Sequence, residues 1–219
     1  MSDFETTVRV WLRGVIDGAT LDQLDHMRSA GGAGVRLGNT AGLASLLGQS
    51  GAIASALSPM LVDCFPTRVV AFDKSPTANW GVPWHQDRTI AVEEKVDMEG
   101  YTNWSNKAGL HHCEPPQMIL DHMLFVRLHL DDDSMESGPM QIALGSHRCG
   151  LVRSEDAQTR ASAHEVETCI GKRGDILVLK MLTLHRSSDA TQATSRRVLR
   201  VDYVNAPLPQ PLRWHRLDA

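Results

Sequence analysis

The sequence has few aromatic residues and no long hydrophobic run. Phe, Trp and Tyr make up 5% of its 219 residues, with only two Tyr and four Phe. No apolar stretch approaches the roughly 20 residues that a membrane-spanning helix needs, so we expect no membrane partner. The first thirteen residues contain Asp3 and Glu5 and no continuous apolar core. They do not resemble a secretory signal, and we expect a cytoplasmic protein.

Cysteine is also scarce, and no CxxC pair occurs. The four cysteines are too widely spaced for a compact disulfide or zinc framework, which favours a reducing compartment: Cys64, Cys113, Cys149 and Cys169. Phosphate-binding GxxxxGK[ST] and GxGxxG patterns and the Gly-x-Ser-x-Gly nucleophile elbow are missing as well. These absences argue against nucleotide-binding and hydrolase functions.

No strong charge of one sign points to a polymeric partner. The net charge is −4, and Lys and Arg are scattered rather than clustered, so we expect no nucleic acid partner and favour a small molecule. Histidine, by contrast, is abundant, with 10 residues. This excess suggests a metal site.

The chain is predicted to be one domain, 1–219, in three parts. Residues 1–65 are predicted to form a helical packing layer, because a capping box at Thr20–Gln23 precedes an apolar helical face and a second apolar stretch, 50–64, carries Pro59. Residues 66–205 are predicted to form a jelly-roll core, and 206–219 a tail. The core follows from short segments with a period of two, which are typical of an all-β sandwich or barrel: 68–72, 84–92, 123–130, 140–143, 164–170, 175–179 and 196–204.

In two of these strands, inward-capable charged residues alternate with a mainly apolar face. Arg127 and His129 lie opposite an apolar face in 123–130, and Arg196 and Arg200 do the same in 196–204. Such a sheet could simply have one face in water. If the N-terminal helices cover the apolar faces, the charged faces instead point into a barrel mouth, where ligands are held.

Non-haem Fe(II) oxygenases hold iron with two histidines and one carboxylate. The sequence has three His-x-acid pairs, and the pair alone is not specific: His85/Asp87, His112/Glu114 and His129/Asp131. The first pair begins a predicted strand, whereas the second runs into Pro115 and the third into an acidic turn. His185, at the end of an apolar strand, is the best candidate for the third ligand.

Three separated motifs together resemble the phytanoyl-CoA dioxygenase family of Fe(II)- and 2-oxoglutarate-dependent oxygenases, in its bacterial type. They occur in the family's order over about residues 68–203: Phe72-Asp-Lys-Ser-Pro with Asn79-Trp-Gly-Val-Pro-Trp-His-Gln-Asp87, then Ser137-Gly-Pro-Met-Gln-Ile-Ala-Leu-Gly-Ser-His147, then His185 with Arg196 eleven positions later. Leu144 stands where the family usually has proline. The chain is also short for the family, which argues against an acyl-CoA substrate.

The resemblance implies a fold, a metal and a cosubstrate. The fold is a mainly β, double-stranded β-helix (jelly-roll, cupin-like) with flanking helices. Fe(II) is held by His85, Asp87 and His185. Arg196 grips the far carboxylate of 2-oxoglutarate, and dioxygen takes the remaining iron site. An arginine suits that task because its planar fork binds a carboxylate bidentately. Ser187 and Lys74 match further positions at the cosubstrate, although a lysine in that place is more often on the surface.

The substrate pocket is predicted from clustering and face parity. Trp80, Trp84 and Trp104 fall around His85 and could form pocket walls or core. An inward Arg127 needs an acidic ligand or an internal carboxylate such as Asp202. Residues 100–109 have no apolar period and are predicted to form a long insertion over the barrel mouth, with His111 and His112 in a loop that could act as a lid.

The combined prediction is a dioxygenase that hydroxylates a small polar or natural-product molecule and releases succinate and CO2. An Asp at position 87 favours hydroxylation or desaturation over halogenation, because a halide would need that coordination place. Two alternatives remain: a cupin-like metalloenzyme that uses no 2-oxoglutarate, and a jelly-roll binding module without turnover. The triad together with Arg196 argues against both.

Overall fold

A six-stranded antiparallel sheet, the major sheet, forms one wall of the molecule. The computed structural model describes residues 9–27, 33–38, 41–192 and 195–217. In spatial order the major sheet contains β1 (Arg9–Leu12), β11 (Ile176–Lys180), β8 (Met123–His129), β13 (Arg196–Val204), β3 (Phe65–Lys74) and β2 (Ala33–Leu37).

A four-stranded minor sheet packs on its inner face, with the order β10 (Val166–Cys169), β9 (Met140–Ala143), β12 (His185–Ser187) and β4 (Val82–His85). Phe125 and Leu179 of the major sheet share one apolar cluster with Met140 and Ile142 of the minor sheet. The predicted mainly β jelly-roll with flanking helices is confirmed.

Helices cover the outer face of the major sheet. They are α1 (Gly18–Met27), α2 (Ala41–Leu47) and α3 (Ala52–Leu57). The apolar parities of β8 and β13 pack against them in one buried cluster, and Tyr203 donates a hydrogen bond to the Leu47 carbonyl at 2.6 Å. Because side chains alternate along a strand, the charged parity of the same strands must face inward. Two shorter helices, α4 (Gln117–Leu120) and α5 (Ala157–Ala161), follow later in the chain.

The prediction that residues 1–65 form only a helical layer is wrong. Strands β1 and β2 lie within this range and extend the two edges of the major sheet, pairing with β11 and β3. Both are short edge strands, which have too few residues to show a periodicity of two clearly. In the apolar helical stretch predicted over 50–64, where Pro59 is expected to cause a kink or a break, the helix ends at Leu57.

The first helix begins earlier than the capping box predicted. The Asp17 carboxylate accepts hydrogen bonds from the backbone N–H and the hydroxyl of Thr20, both at 2.9 Å. Thr20 therefore lies inside the helix and Asp17 caps it.

Residues 100–109 form a hairpin rather than an insertion loop. Strands β6 (Thr102–Lys107) and β7 (Leu110–Glu114) pair with each other, and β7 also pairs with β5 (Ile90–Val92). The turn residues Ala108 and Gly109 have φ of 54° and 82°. A two-residue hairpin turn needs positive φ at both positions, which Asn-Gly signals and Ala-Gly does not.

Part of the segment 206–217 packs against the three-stranded sheet of β5, β7 and β6. Trp214 bridges to Val92 and donates a hydrogen bond to the Ala206 carbonyl at 2.8 Å. Leu212 and Leu217 are buried. Among the described residues, no helix has the length and apolarity that crossing a membrane would take.

Candidate active site

A cavity of about 240 Å3 lies between the major and minor sheets. Its wall includes both predicted histidine ligands, the predicted carboxylate and two of the inward arginines: His85, Asp87, Arg127, His185 and Arg196. Most of the rest of the wall is apolar, with Phe72, Trp80, Val82, Phe125 and Met140.

The pairing of β4 with β12 brings the three candidate metal ligands together. His85 is the last residue of β4 and lies directly opposite His185, the first residue of β12. Asp87 follows two positions later, and one ligand atom from each residue lies within 4.8 Å of the others. Of the described residues, no other group of three His, Cys, Asp or Glu side chains has this arrangement.

Gln86 fixes the segment between the first two ligands. Its amide nitrogen donates hydrogen bonds to the carbonyls of Gly150 and Leu182 at 2.9 and 2.8 Å, and its amide oxygen accepts one from the Val152 N–H at 2.8 Å. These bonds hold Gln86 on the side opposite its neighbours. His85 and Asp87 are thereby kept on the same side of an extended segment.

Both imidazoles have the tautomer that a metal ligand needs. Nδ1 of His85 donates a hydrogen bond to the Pro83 carbonyl at 2.8 Å, and Nδ1 of His185 donates one to the Thr183 carbonyl at 2.9 Å. A carbonyl only accepts, so each Nδ1 carries the proton and each Nε2 keeps its lone pair. Backbone carbonyls orient metal-binding histidines in this way in many proteins.

The surroundings keep His85 and Asp87 in the protonation states that bind a cation. Burial, together with His185, lowers the pKa of His85 to about 4, so this imidazole is neutral at pH 7. Burial would raise the pKa of Asp87, but the Arg200 guanidinium outweighs it and holds the pKa well below its usual value.

The donor set fits Fe(II). Nε2 of His185 and Oδ2 of Asp87 lie 3.1 Å apart. Because Nδ1 of His185 donates to the Thr183 carbonyl, Nε2 and the carboxylate oxygen are two electron-pair donors facing each other, and a cation between them turns their repulsion into attraction. Two imidazoles and one carboxylate on one side of the metal form the set that non-haem Fe(II) oxygenases use.

Asp87 belongs to a buried network of charged side chains. Arg200 donates a hydrogen bond to the Asp87 carboxylate and another to Asp202 at 2.8 Å. Asp202 also accepts one from Arg68 at 2.6 Å. Arg200 and Asp202 are 5% and 1% exposed, so this network is strongly shielded from solvent.

Arg196 is buried in the cavity wall, and Ser187, another predicted cosubstrate contact, lines the same cavity. Its Nη1 donates a hydrogen bond to the Gly138 carbonyl at 2.7 Å, and its Nε lies 4.0 Å from Asp133. Gly138 has a φ of 64°, and a Cβ there would lie 2.4 Å from the Ser188 carbonyl, so only glycine fits. The Ser-Gly-Pro motif thus anchors one side of the Arg196 fork.

The structure does not place Lys74 on the cavity wall. Its side chain is buried, and Nζ donates hydrogen bonds to the carbonyls of Ser188 at 2.6 Å and Gly138 at 3.4 Å. Burial and the neighbouring Arg196 lower the pKa of Lys74 to about 8. Lys74 is therefore not a surface residue, which is the more common place for a lysine. It does not line the cavity either, because backbone carbonyls bind its ammonium group.

Of the predicted substrate-binding residues, the structure brings Arg127 and Trp80 to the cavity and leaves two out. Trp84 packs in a separate buried cluster, where Arg186 stacks on its ring. Trp104 lies on β6, and its indole N–H donates a hydrogen bond to the Tyr101 carbonyl. Asp202, proposed as an internal partner of Arg127, pairs with Arg68 and Arg200 instead.

The two rejected His-x-acid pairs do not meet a third ligand. His112 is buried on β7, not in a lid loop, and its Nδ1 donates a hydrogen bond to the Leu110 carbonyl. His129 is fully buried with Nδ1 3.2 Å from Asp133, whereas Asp131 pairs with Arg197. A Cβ on Gly171 would lie 2.6 Å from the His129 ring, so the glycine makes room for this histidine.

The sequence prediction missed Gln86, Gly138 and Asp133, and it gave Arg200 no role at the site. The sequence could have placed Arg200 at the site, because Arg200 lies on the same inward face of β13 as Arg196. No sequence pattern indicates the roles of Gln86 and Asp133. Their partners come from segments far away in sequence.

A protein-family model matches most of the chain. The model named Phytanoyl-CoA dioxygenase (PhyH) matches residues 45–198. The chain belongs to the phytanoyl-CoA dioxygenase family. The family's enzymes are Fe(II)- and 2-oxoglutarate-dependent oxygenases, so this member is an oxidoreductase that uses iron, 2-oxoglutarate and dioxygen. Among curated proteins, none matches the sequence.

Solved structures share the fold at low sequence identity. The epimerase SnoN in complex with Fe3+, alpha ketoglutarate and nogalamycin RO is 14% identical, with a TM-score of 0.69 over 100% of this chain and 85% of that one. HygX from Streptomyces hygroscopicus with nickel, 2-oxoglutarate and hygromycin B bound is 13% identical, with a TM-score of 0.62 over 94% and 86%. AviO1 from Streptomyces viridochromogenes Tue57 is 16% identical, with a TM-score of 0.60 over 95% and 94%.

Proposed function

We propose that this family member hydroxylates a small molecule in the cavity, with Fe(II) held by His85, Asp87 and His185. The observation that carries the proposal is the convergence of three ligand atoms within 4.8 Å on one wall of the cavity that Arg196 also lines. Bound Fe(II) would supply dioxygen activation, and 2-oxoglutarate would supply the electrons as it is converted to succinate and CO2.

Each residue has a defined task in this proposal. Nε2 of His85 and of His185 and one oxygen of Asp87 bind the metal, while the carbonyls of Pro83 and Thr183 fix the rings. These contacts make the site rigid before any ligand arrives.

Arg196 and Ser187 would bind the cosubstrate at the other end. A guanidinium that is 3% exposed and fixed on one side by Gly138 can direct its remaining donors to a carboxylate. Lys74 acts indirectly, because it donates to the same Gly138 carbonyl as Arg196. We assign Lys74 to positioning rather than to direct cosubstrate contact.

The apolar wall would exclude water and limit substrate size. Phe72, Phe125 and Met140 surround the charged residues, and about 240 Å3 is small beside the roughly 300–1,000 Å3 of ordinary ligand pockets. This supports a compact substrate. SnoN and HygX have been crystallised with nogalamycin RO and hygromycin B. By analogy we propose that the substrate of this chain is a natural product or a similar small molecule. We also propose that the protein acts in the cytoplasm.

Anaerobic titration tests the proposal. Protein with Fe(II) should develop a weak visible charge-transfer band as 2-oxoglutarate is added, and should release succinate when oxygen is admitted. His185→Ala should show neither signal. Iron binding without a band or succinate would instead favour a cupin-like enzyme, and absence of iron binding would favour a binding module.

A further inference from the structure

One buried cation in the cavity wall has no counter-charge. Arg127 is 6% exposed, and its Nε and Nη2 atoms have no hydrogen-bond partner among the described residues. Burial lowers its pKa, and Asp133 is the carboxylate that acts on it, but the two form no ion pair. A buried guanidinium without a partner is strongly unfavourable. An anionic ligand at this point would remove that cost.

The other charges around the cavity are already compensated. Arg68 and Arg200 balance Asp87 and Asp202 in one connected network. Under the proposed function, a divalent metal balances the dianion of 2-oxoglutarate.

Asp133 lies 4.0 Å from Nε of Arg196 and also acts on Arg127, so its single negative charge is shared and one positive charge of the two arginines stays unbalanced. Arg186 also lines the cavity, but it is only partly buried, donates a hydrogen bond to Gln141 and stacks on Trp84. Its charge is therefore in contact with solvent and needs no buried partner.

The backbone register places Arg127 nearer the triad than Arg196. In the pairing of β8 with β13, Arg127 lies opposite Arg200, which donates a hydrogen bond to the candidate metal ligand Asp87. The backbone of Arg196 lies four residues further along β13, roughly 13 Å away in an extended strand. The two guanidinium groups still act on each other electrostatically, so the effect of Arg127→Gln on 2-oxoglutarate affinity is the measurement that separates their roles. By register, Arg127 is level with the triad, where a substrate must approach the metal.

We propose that Arg127 binds the carboxylate of the substrate, and that the substrate is a small organic acid with a compact apolar body. The guanidinium supplies the charge-assisted contact, and the neighbouring Phe125 and Trp80 contact the apolar part. The proposal rests on the proposed function, since it assigns 2-oxoglutarate to Arg196.

The test uses Ni(II)-loaded protein saturated with 2-oxoglutarate, which binds ligands without turnover. Matched probes are benzoate with benzamide, phenylacetate with phenylacetamide, and hexanoate with hexanamide, each measured by calorimetry. Three proteins are compared: wild type, Arg127→Gln and Arg127→Lys. Arg213→Gln is the control, because it removes an exposed cation outside the cavity.

In wild type, at least one acid should bind about 30-fold or more tightly than its amide, as expected for a desolvated charge pair. This preference should disappear in Arg127→Gln and persist in part in Arg127→Lys and in full in Arg213→Gln. The affinity for 2-oxoglutarate should stay within about three-fold of wild type in Arg127→Gln.

Three results would overturn the assignment while leaving the proposed function intact. They are equal binding of acids and amides by wild type, failure of all three acids to bind, and a ten-fold or greater loss of 2-oxoglutarate affinity in Arg127→Gln. The last would place Arg127 in the cosubstrate site. If wild-type protein with Fe(II) gives no charge-transfer band with 2-oxoglutarate, the proposed function itself fails, and this inference fails with it.

Discussion

Arg200 donates a hydrogen bond to the carboxylate of Asp87, the only acidic side chain among the residues that line the described cavity. Through Asp202 the same guanidinium is tied to Arg68 on the next strand. The candidate metal-binding carboxylate is therefore oriented by a buried network that spans β13 and β3. Partners of this kind set the geometry and the charge of a metal ligand.

Arg200→Gln should weaken iron binding while leaving all three ligands in place. Loss of an outer-shell partner typically lowers metal affinity by about 10- to 100-fold, and the pKa of Asp87 should move up toward its usual value. Competition with a chelator of known affinity measures the change. The exposed Arg213, which pairs only with Glu93, offers a control: Arg213→Gln should bind iron as wild type does. Unchanged affinity in Arg200→Gln would assign the network to folding alone.

The metal ligands themselves are tested by histidine exchange. His85→Ala and His185→Ala should each lose bound iron after reconstitution and form no succinate, because two remaining ligands hold Fe(II) poorly. His112→Ala and His129→Ala should keep iron near wild-type occupancy, since neither lies in the triad. Metal analysis of the purified proteins decides the matter. Iron retained in His85→Ala but lost in His112→Ala would show that the wrong His-x-acid pair was chosen.

Arg196→Ala should raise the apparent Michaelis constant for 2-oxoglutarate strongly, with little change in iron affinity. Truncating one partner of a buried charge pair costs about 2–5 kcal/mol, or about 30- to 5,000-fold in affinity. Succinate formation at varied 2-oxoglutarate concentration gives the constant.

Arg197 provides the matched control for Arg196. It points to the opposite face of β13, where it pairs with Asp131 at 2.6 Å and with Asp25 of α1 at 3.1 Å. Arg197→Ala should lower the melting temperature and leave the 2-oxoglutarate dependence nearly unchanged. Equal losses of cosubstrate affinity in both variants would contradict the observed register of this strand.

His112 should make the fold sensitive to acid. Burial, followed by the nearby Arg68, lowers the pKa of His112 to about 4 from 6.5. Between these values the unfolded chain takes up a proton that the folded chain refuses, so stability falls as the pH drops from about 6.5 to 4.

His112→Asn should flatten that part of the pH profile relative to wild type, as measured by urea unfolding of metal-free protein. His122→Asn, an exposed histidine, should leave the profile unchanged. A profile as steep in His112→Asn as in wild type would show that other groups cause the acid sensitivity.

Local patterns in the sequence were sufficient to predict several strands around the site, but not β12, which carries His185. The bounds of β9 and β13 match the predicted 140–143 and 196–204, because alternation over such segments fixes both the strand and its inward face. The same parity predicted that Arg127 and Arg196 face inward. The stretch 84–92 was predicted as one strand, but the structure has two, β4 and β5, with the candidate ligand Asp87 between them. An alternating sequence pattern cannot show where hydrogen bonding to the neighbouring strand stops.

The sequence by itself determined the fold class, the family and the candidate ligand residues, because these depend on residue types and on short spacings. Only the tertiary structure decided what each charge meets. Asp202 pairs with Arg200 and Arg68, so Arg127 has no ion-pair partner in the part of the chain that the structure describes. Lys74 binds backbone carbonyls instead of facing the cavity. The physical reason is that ion pairing is set by distances between side chains on strands far apart in the chain. Strand parity gives a side chain's face but not its neighbours across the sheet.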